Sequence, residues 1–117
     1  CISVHQNSID YSKDATRVNG ILSLYYADSG YLLAQAVSAS LSESLHRVTR
    51  GAAQQRLAMV RNYKFPSMLV EVGFMTCIEE YSPMTGEAAQ MKAAEGIVQG
   101  ILNYYKMQGE YIKTSEK

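Results

Sequence analysis

The sequence predicts an α/β domain in which a mixed β-sheet is flanked by helices. Short runs of β-branched, aliphatic and aromatic residues alternate along the chain with two long stretches whose apolar residues recur at helical spacing. Strands that alternate with amphipathic helices favour a layered sheet with helices packed against it. The 117 residues, 47% apolar and 19% charged, are enough for one small globular domain with a modest core.

The first strand is predicted to begin with the apolar and β-branched residues 1–4 and to end at His5. Because natural chains rarely begin inside a core strand, we interpret the sequence as a domain truncated at its N-terminus. The alternative is a mature lipoprotein whose Cys1 carries the lipid, which would require a flexible tether after the cysteine. We assign residues 1–108 to this incomplete domain and residues 109–117 to a charged, frayed tail.

Three more strands and two irregular segments are predicted. Residues 6–19 are rich in polar side chains and predict a surface loop, after which 21–26 form an apolar, aromatic strand. Residues 57–60 are a candidate short strand, and 67–72 are the clearest strand in the chain. The segment 76–86 contains proline and glycine and is predicted to be irregular.

Two amphipathic helices complete the predicted fold. The first spans 31–47, after Asp28 and Ser29, whose side-chain oxygens can cap its N-terminus. Its apolar stripe consists of Leu33, Ala34, Val37, Leu41, Leu45 and Val48. The second helix spans 87–107. Its apolar stripe consists of Met91, Ala94, Val98, Ile101, Leu102 and Tyr105.

Composition and motifs exclude several classes of function. Eleven basic and eleven acidic residues cancel, so no charge footprint for nucleic acid is present and no nucleic-acid partner is expected. No stretch approaches the roughly 20 continuous apolar residues of a membrane span, so no integral membrane segment is expected. The two cysteines, Cys1 and Cys77, lack a metal-binding spacing. No HExxH, GxSxG or glycine-rich phosphate loop occurs.

His5 is the first candidate for a functional side chain. It lies at the C-terminal end of the first predicted strand, and sites in open α/β sheets gather beyond the carboxyl ends of strands. A histidine that caps a loop through a hydrogen bond would occupy the same place, so the residue alone does not decide. The only other histidine, His46, lies near a helix C-terminus, where an exposed imidazole is favourable without any ligand.

Glu71 is the second candidate, because it interrupts an apolar strand. A buried carboxylate is costly unless a cation or hydrogen bonds compensate for its lost hydration. The alternative is an alternating strand that turns Glu71 toward solvent. Both faces of this strand carry apolar residues, such as Leu69 on one face and Val70 on the other, which weakens that alternative. The residues alone thus predict an α/β domain with a candidate His/Glu site.

Three blocks of the sequence resemble a known enzyme family. They are Ser-Val-His-Gln-Asn-Ser at 3–8, Leu-Ala-Met-Val-Arg-Asn at 57–62 and Pro-Ser-Met-Leu-Val-Glu-Val-Gly-Phe at 66–74. In this order and spacing they resemble the zinc-dependent N-acetylmuramoyl-L-alanine amidases of the type 3 family. The resemblance runs from residue 2 to about residue 105, and it identifies residues 1–108 as the C-terminal part of an amidase-like catalytic domain.

The resemblance implies a peptidoglycan hydrolase. Such enzymes use zinc-activated water to cleave the amide between N-acetylmuramic acid and the L-alanine of the stem peptide. His5 would be a zinc ligand and Glu71 the catalytic carboxylate beside the activated water. The family's first two zinc ligands, a His and a Glu, belong to a part of the domain that precedes the segment resembled by this chain. The expected partner is peptidoglycan, and the expected location is extracellular, in the cell wall or the periplasm, as for an autolysin.

Two other functions fit parts of the same pattern. One is an amidase-derived fragment that binds cell wall without cleaving it, since only one credible zinc ligand is present. The other is a thiol hydrolase that uses Cys77, His5 and Glu71. Two departures from the family bear on loop hydrogen bonds and substrate contacts. Cys77 stands where relatives often carry Asn, and Leu22 stands where many carry Glu.

Overall fold

The computed structural model describes residues 1–10 and 14–116. Positions 11–13 of the loop predicted over 6–19, and residue 117 of the predicted tail, lie outside the described residues. The strands are β1 (Ile2–Asn7), β2 (Ile21–Tyr25), β3 (Thr49–Gln54) and β4 (Met68–Phe74). The α-helices are α1 (Asp28–Leu45), α2 (Ile78–Met84) and α3 (Glu87–Ser115), and a single 3₁₀ turn covers Ala15–Arg17.

The described residues form one mixed sheet of four strands in the order β1-β4-β2-β3. The central strand β4 pairs in parallel with β1 and antiparallel with β2, and β2 pairs in parallel with β3. The predicted α/β class with a mixed sheet flanked by helices is therefore confirmed. The most apolar strand is β4. It can be apolar on both faces because both are covered.

The main core lies between one face of the sheet and the helices α1 and α3. Along β4, alternate side chains point to this face, and Met68, Val70 and Val72 are buried there. The stripe predicted for the first helix is confirmed over most of its length, because Leu33, Ala34, Val37 and Leu41 are all buried. These buried residues and their neighbours fix the sheet against α1.

The stripe predicted for the second helix is wrong in its main part. Met91, Val98, Leu102 and Tyr105 are each more than half exposed, at 55, 55, 56 and 67%. The buried positions of α3 are instead Ala93, Gly96, Gly100 and Tyr104. Small residues allow the backbone of α3 to approach α1 closely, and that contact, which a hydrophobicity pattern does not reveal, decides which face of the helix is inside.

The other face of the sheet carries a smaller apolar cluster of Leu24, Val60 and Leu69, with Leu57 packed against it. Residues 58–60 form a turn, in which the Val60 N–H donates to the Leu57 carbonyl oxygen at 3.1 Å. The short strand predicted at 57–60 is therefore wrong. Its apolar side chains cover the sheet from outside and are not part of it.

Several predicted boundaries shift. The first helix ends at Leu45 because His46 adopts a left-handed backbone conformation, with φ 51° and ψ 44°. The strand at Thr49–Gln54 was not predicted, since it is a largely exposed edge strand without an apolar run. The first strand continues two residues past its predicted end at His5, to Asn7, so His5 lies inside the strand.

Two segments are more helical than predicted. Ile78–Met84 forms α2 in place of the irregular segment predicted at 76–86, with Pro83 in its last turn. Burial of the apolar Met84 and the hydrogen bonds that Glu80 accepts stabilise this short helix despite the missing proline N–H. The helix α3 passes Gly109 and continues to Ser115, so the tail predicted from residue 109 is mostly helical. None of the helices within the described residues has the length and apolar character needed to cross a bilayer.

The packing of α3 on α1 predicts opposite effects for two glycine substitutions in one helix. A Cβ at Gly100 would lie 2.5 Å from the Val37 Cα, whereas nothing lies within 4 Å of a Cβ at Gly109. We expect Gly100→Ala to lower the free energy of unfolding by about 1–3 kcal/mol through overpacking. Gly109→Ala should raise it by up to about 1 kcal/mol through helix propensity. Urea unfolding measures both, and equal effects would contradict this account of the α1–α3 contact.

Candidate active site

His5 and Glu71 lie directly opposite each other on neighbouring strands. In the parallel pairing of β1 with β4, the Cα partner of His5 is Glu71. Adjacent strands are about 4.8 Å apart, and directly paired residues turn their side chains to the same face of the sheet. The structure therefore brings together the two residues that the sequence analysis selected.

The pair lies on the sheet face that is turned away from α1 and α3. Leu69, two residues before Glu71 on the same strand, belongs to the small apolar cluster of this outer face. On the other side of β4, Leu22 of β2 is the Cα partner of Glu71. The Glu71 carboxylate thus lies between His5 on β1 and Leu22 on β2. The apolar cluster beside it limits its hydration.

Glu71 is half-buried, and its environment favours the neutral form of the carboxyl group. Its Oε2 atom is inaccessible to solvent and has no hydrogen-bond partner among the described residues. Burial raises the pKa of Glu71 above its ordinary value, and the charge of the neighbouring His5 acts in the opposite direction. A raised pKa makes a carboxylate a better proton acceptor than an ordinary exposed glutamate.

His5 is exposed and is free to take a ligand from outside the protein. Its Nε2 lies 3.0 Å from the Ser3 Oγ, two residues earlier on the same face of β1. A hydroxyl group can act as donor or acceptor, so this contact is compatible with either tautomer of the imidazole. The exposed ring can exchange such a contact for a stronger ligand.

A β-bulge follows the pair directly. His5 pairs with Glu71 and Asn7 pairs with Phe74, so two steps along β1 correspond to three along β4. The Met75 N–H donates to the Asn7 carbonyl oxygen at 2.7 Å and closes the far side of the bulge. Bulges next to functional sites re-aim side chains and end the strand pairing. The sequence analysis missed this bulge, for which Gly73 is the only local indication.

The described residues place His5 and Glu71 together but contain no larger group of metal-binding side chains. No cluster of three or more His, Cys, Asp and Glu side chains within residues 1–10 and 14–116 could hold a metal ion. His46 is exposed at the C-terminal end of α1, as predicted. Cys77 is 1% exposed. It lines a cavity together with Arg47 and Glu80, and this cavity does not include His5 or Glu71.

Comparisons with known proteins match most of the chain. The family model described as N-acetylmuramoyl-L-alanine amidase matches residues 1–103. The chain is 36% identical to the N-acetylmuramoyl-L-alanine amidase AmiC2 of Nostoc punctiforme, with a TM-score of 0.81 over 90% of this chain and 57% of that one. It is 31% identical to the N-acetylmuramoyl-L-alanine amidase of Clostridium difficile 630, with a TM-score of 0.79 over 90% of this chain and 56% of that one.

Curated relatives include the germination-specific N-acetylmuramoyl-L-alanine amidase of Bacillus subtilis, which is 30% identical over 112 residues. That match covers 93% of this chain and 46% of the relative. The chain spans half or less of the curated relatives it matches, for example 50% of YqiI of Bacillus subtilis and 34% of the probable cell wall amidase LytH of Staphylococcus epidermidis.

The raised pKa of Glu71 predicts how the stability of the metal-free protein depends on pH. Because the folded state binds the proton more tightly than the unfolded state, stability is highest below the unfolded pKa and falls as pH rises through the folded pKa. Glu71→Gln should therefore raise the free energy of unfolding at about pH 7, and the gain should disappear below about pH 4. Urea unfolding of both proteins between about pH 4 and pH 7 measures this difference in the free energy of unfolding. The exposed Glu43→Gln is the control, and a gain that grows as pH falls would contradict the prediction.

Proposed function

The chain belongs to the N-acetylmuramoyl-L-alanine amidase family, and we propose that it contributes the active-site carboxylate of a peptidoglycan hydrolase. The bond cleaved is the amide between N-acetylmuramic acid and the L-alanine of the stem peptide. The observation that carries the proposal is the direct pairing of His5 with Glu71 on the outer face of the sheet. An imidazole and a half-buried carboxylate side by side are the groups that metal-assisted amide hydrolysis requires.

His5 would hold a zinc ion in this proposal. Imidazole nitrogen is a preferred zinc ligand, and the neighbouring Glu71 has a buried oxygen without a partner among the described residues, so the residues present fit a nearby cation. A catalytic zinc usually has three protein ligands, so the others would come from the part of the family domain that this chain does not match. When bound, the metal would polarise the scissile carbonyl and lower the pKa of a water molecule.

Glu71 would act as the general base and then as the general acid. Its carboxylate would take the proton from the attacking water and transfer it to the leaving amine of L-alanine. Leu22 and Leu69 limit the hydration of this carboxylate, which keeps its pKa above the ordinary value and so closer to neutrality. No hydrogen bond from the described residues to Oε2 stabilises the charged form of the carboxylate, which favours uptake of the proton.

The site of action would be the cell wall, outside the membrane or in the periplasm, where peptidoglycan is the partner. Relatives named probable cell wall amidase support this location. A role as an autolysin, which cleaves the wall of its own cell, belongs to the same proposal.

A second candidate is binding to the cell wall without cleavage. The observation that favours it is the small number of ligands, since no larger cluster of metal-binding side chains occurs in the described residues. The thiol-hydrolase hypothesis has less support, because Cys77 is buried and lines a cavity that does not include His5 or Glu71.

Replacement of Glu71 tests the catalytic proposal. We expect Glu71→Gln to lower kcat for muropeptides by at least about 100-fold, because a general base is lost while the shape is kept. Turnover is measured as free stem peptide by mass spectrometry. The assay uses this chain and a chimera that adds the part of Nostoc punctiforme AmiC2 that the chain does not match. Glu79→Gln, on the exposed side of α2, is the control. Unchanged turnover in Glu71→Gln would reject Glu71 as the catalytic group.

The two histidines of the chain allow a matched test of metal binding. His5→Ala should lower zinc occupancy at limiting free zinc by about 10–100-fold, because a direct ligand is removed. His46→Ala should leave occupancy unchanged, since His46 is exposed at the end of α1. Occupancy is measured by elemental analysis after equilibrium dialysis of the AmiC2 chimera. Equal occupancy in the two variants would exclude His5 as a ligand, whether or not the protein turns over substrate.

A further inference from the structure

The bulge of β4 leaves backbone N–H and C=O groups without hydrogen-bond partners on β1. It lies between Glu71 and Phe74, immediately after the proposed catalytic carboxylate. An extra residue in a strand leaves its N–H and C=O groups without ladder partners, and buried backbone groups of this kind require partners from elsewhere. Groups that supply these hydrogen bonds therefore stabilise the bulge.

Arg47 and Glu80 supply them. The Arg47 Nη1 donates to the Val72 carbonyl oxygen at 2.9 Å, and the Phe74 N–H donates to the Glu80 Oε2 at 2.7 Å. The two side chains also lie against each other, with 4.0 Å between the Arg47 Nε and the Glu80 Oε1. The Arg47 Nη2 donates to the Glu80 carbonyl oxygen at 2.7 Å, which fixes the guanidinium plane.

Glu80 also holds the strand on the other side of Glu71. The Gly20 N–H, just before β2, donates to the Glu80 Oε1 at 2.7 Å. One carboxylate thus connects the end of β4 with the start of β2, the strand that places Leu22 beside Glu71. Both of its oxygens have backbone partners, in contrast to the oxygen of Glu71 that has none among the described residues.

The pair packs directly on the bulge. A Cβ at Gly73 would lie 2.5 Å from the Arg47 Nη1 and 2.8 Å from the Glu80 Oε2. The side chains of Arg47 and Glu80 are 10% and 9% exposed. A buried ion pair is weak evidence for stability, because apolar residues of similar size often serve a core equally well. Apolar residues cannot bind the N–H and C=O groups of a bulge, however.

From these contacts we propose that Arg47 and Glu80 are a positioning pair that fixes the bulge of β4 and so keeps Glu71 beside His5. Its catalytic consequence rests on the proposed function. The physical reason is the two-residue period of a strand: if the bulge moves by one residue toward Glu71, the carboxylate turns to the face covered by α1 and α3. None of the described hydrogen bonds of the pair goes to His5 or to the Glu71 side chain, so the pair acts through the backbone of β4 and of Gly20.

The test measures two properties of a Glu80 variant: the contact between His5 and Glu71, and the turnover of substrate. In Glu80→Gln the side-chain amide cannot accept hydrogen bonds at both ends from Gly20 and Phe74. We expect the ¹H nuclear Overhauser effects between the His5 ring and the Glu71 side chain to be lost, while those within the main core cluster, which includes Ile21 and Leu41, persist. In the AmiC2 chimera, kcat should fall by roughly 100-fold with little change in KM.

Two further variants make the result decisive. Asp14→Asn removes the exposed ion pair of Asp14 and Arg17, 3.0 Å apart, and should change neither readout. Arg47→Lys keeps the charge but loses the planar fork, and it should give intermediate effects on both readouts. If Glu80→Gln does not fold, Arg47→Lys decides.

Unchanged contacts between His5 and Glu71 in the folded variant would overturn the positioning role, whether or not turnover is lost. If the parent chimera shows no turnover, the proposed function fails, and the nuclear Overhauser effects still decide whether the pair positions Glu71.

Discussion

The carboxylate of Glu71 in the central strand is the constraint around which this domain is arranged. A charged group in an apolar strand loses hydration, and in this position one of its oxygens has no partner among the described residues. The rest of the strand is buried on both faces. A purely structural role would be better served by an apolar residue, so the presence of a carboxylate here is consistent with the proposed catalytic role.

Glu80 shows how the same fold treats a carboxylate that has a structural role. It is more deeply buried than Glu71, yet both of its oxygens accept backbone hydrogen bonds and a guanidinium lies beside it. The two glutamates are nine positions apart in the chain and belong to one network, since Glu80 holds the strand end that follows Glu71. Glu80, the structural group, has partners for both oxygens, whereas Glu71, the proposed catalytic group, has one oxygen without a partner among the described residues.

The two faces of the sheet have different tasks. The inner face carries the main core, where small residues of α3 allow a close approach to α1. The outer face carries the His5 and Glu71 pair beside a small apolar cluster under the turn at 58–60. Because a strand turns alternate residues to opposite faces, β4 serves both at once: Val70 and Val72 stabilise the core while Glu71 faces the site.

The sequence by itself determined the α/β class, the strand that contains Glu71 and most of the apolar stripe of α1, because local periodicity is visible in one dimension. It also selected His5 and Glu71 as candidate site residues, since a charged residue in an apolar run is visible in the same way. The resemblance to the amidase family was equally visible, since it depends on short motifs in order. The strand β3, the helix α2 and the buried face of α3 were not predicted, because exposed edge strands and glycine contacts leave no hydrophobic pattern.

Only the tertiary structure placed His5 opposite Glu71, since no local pattern in the sequence records the register between distant strands. It alone distinguished Glu80 from Glu79, two neighbours that look alike in the sequence but differ in burial and in hydrogen bonds. The physical reason is common to both cases. Backbone groups left free by an irregular strand are satisfied by residues far away in the chain, and no local pattern records which residues these are.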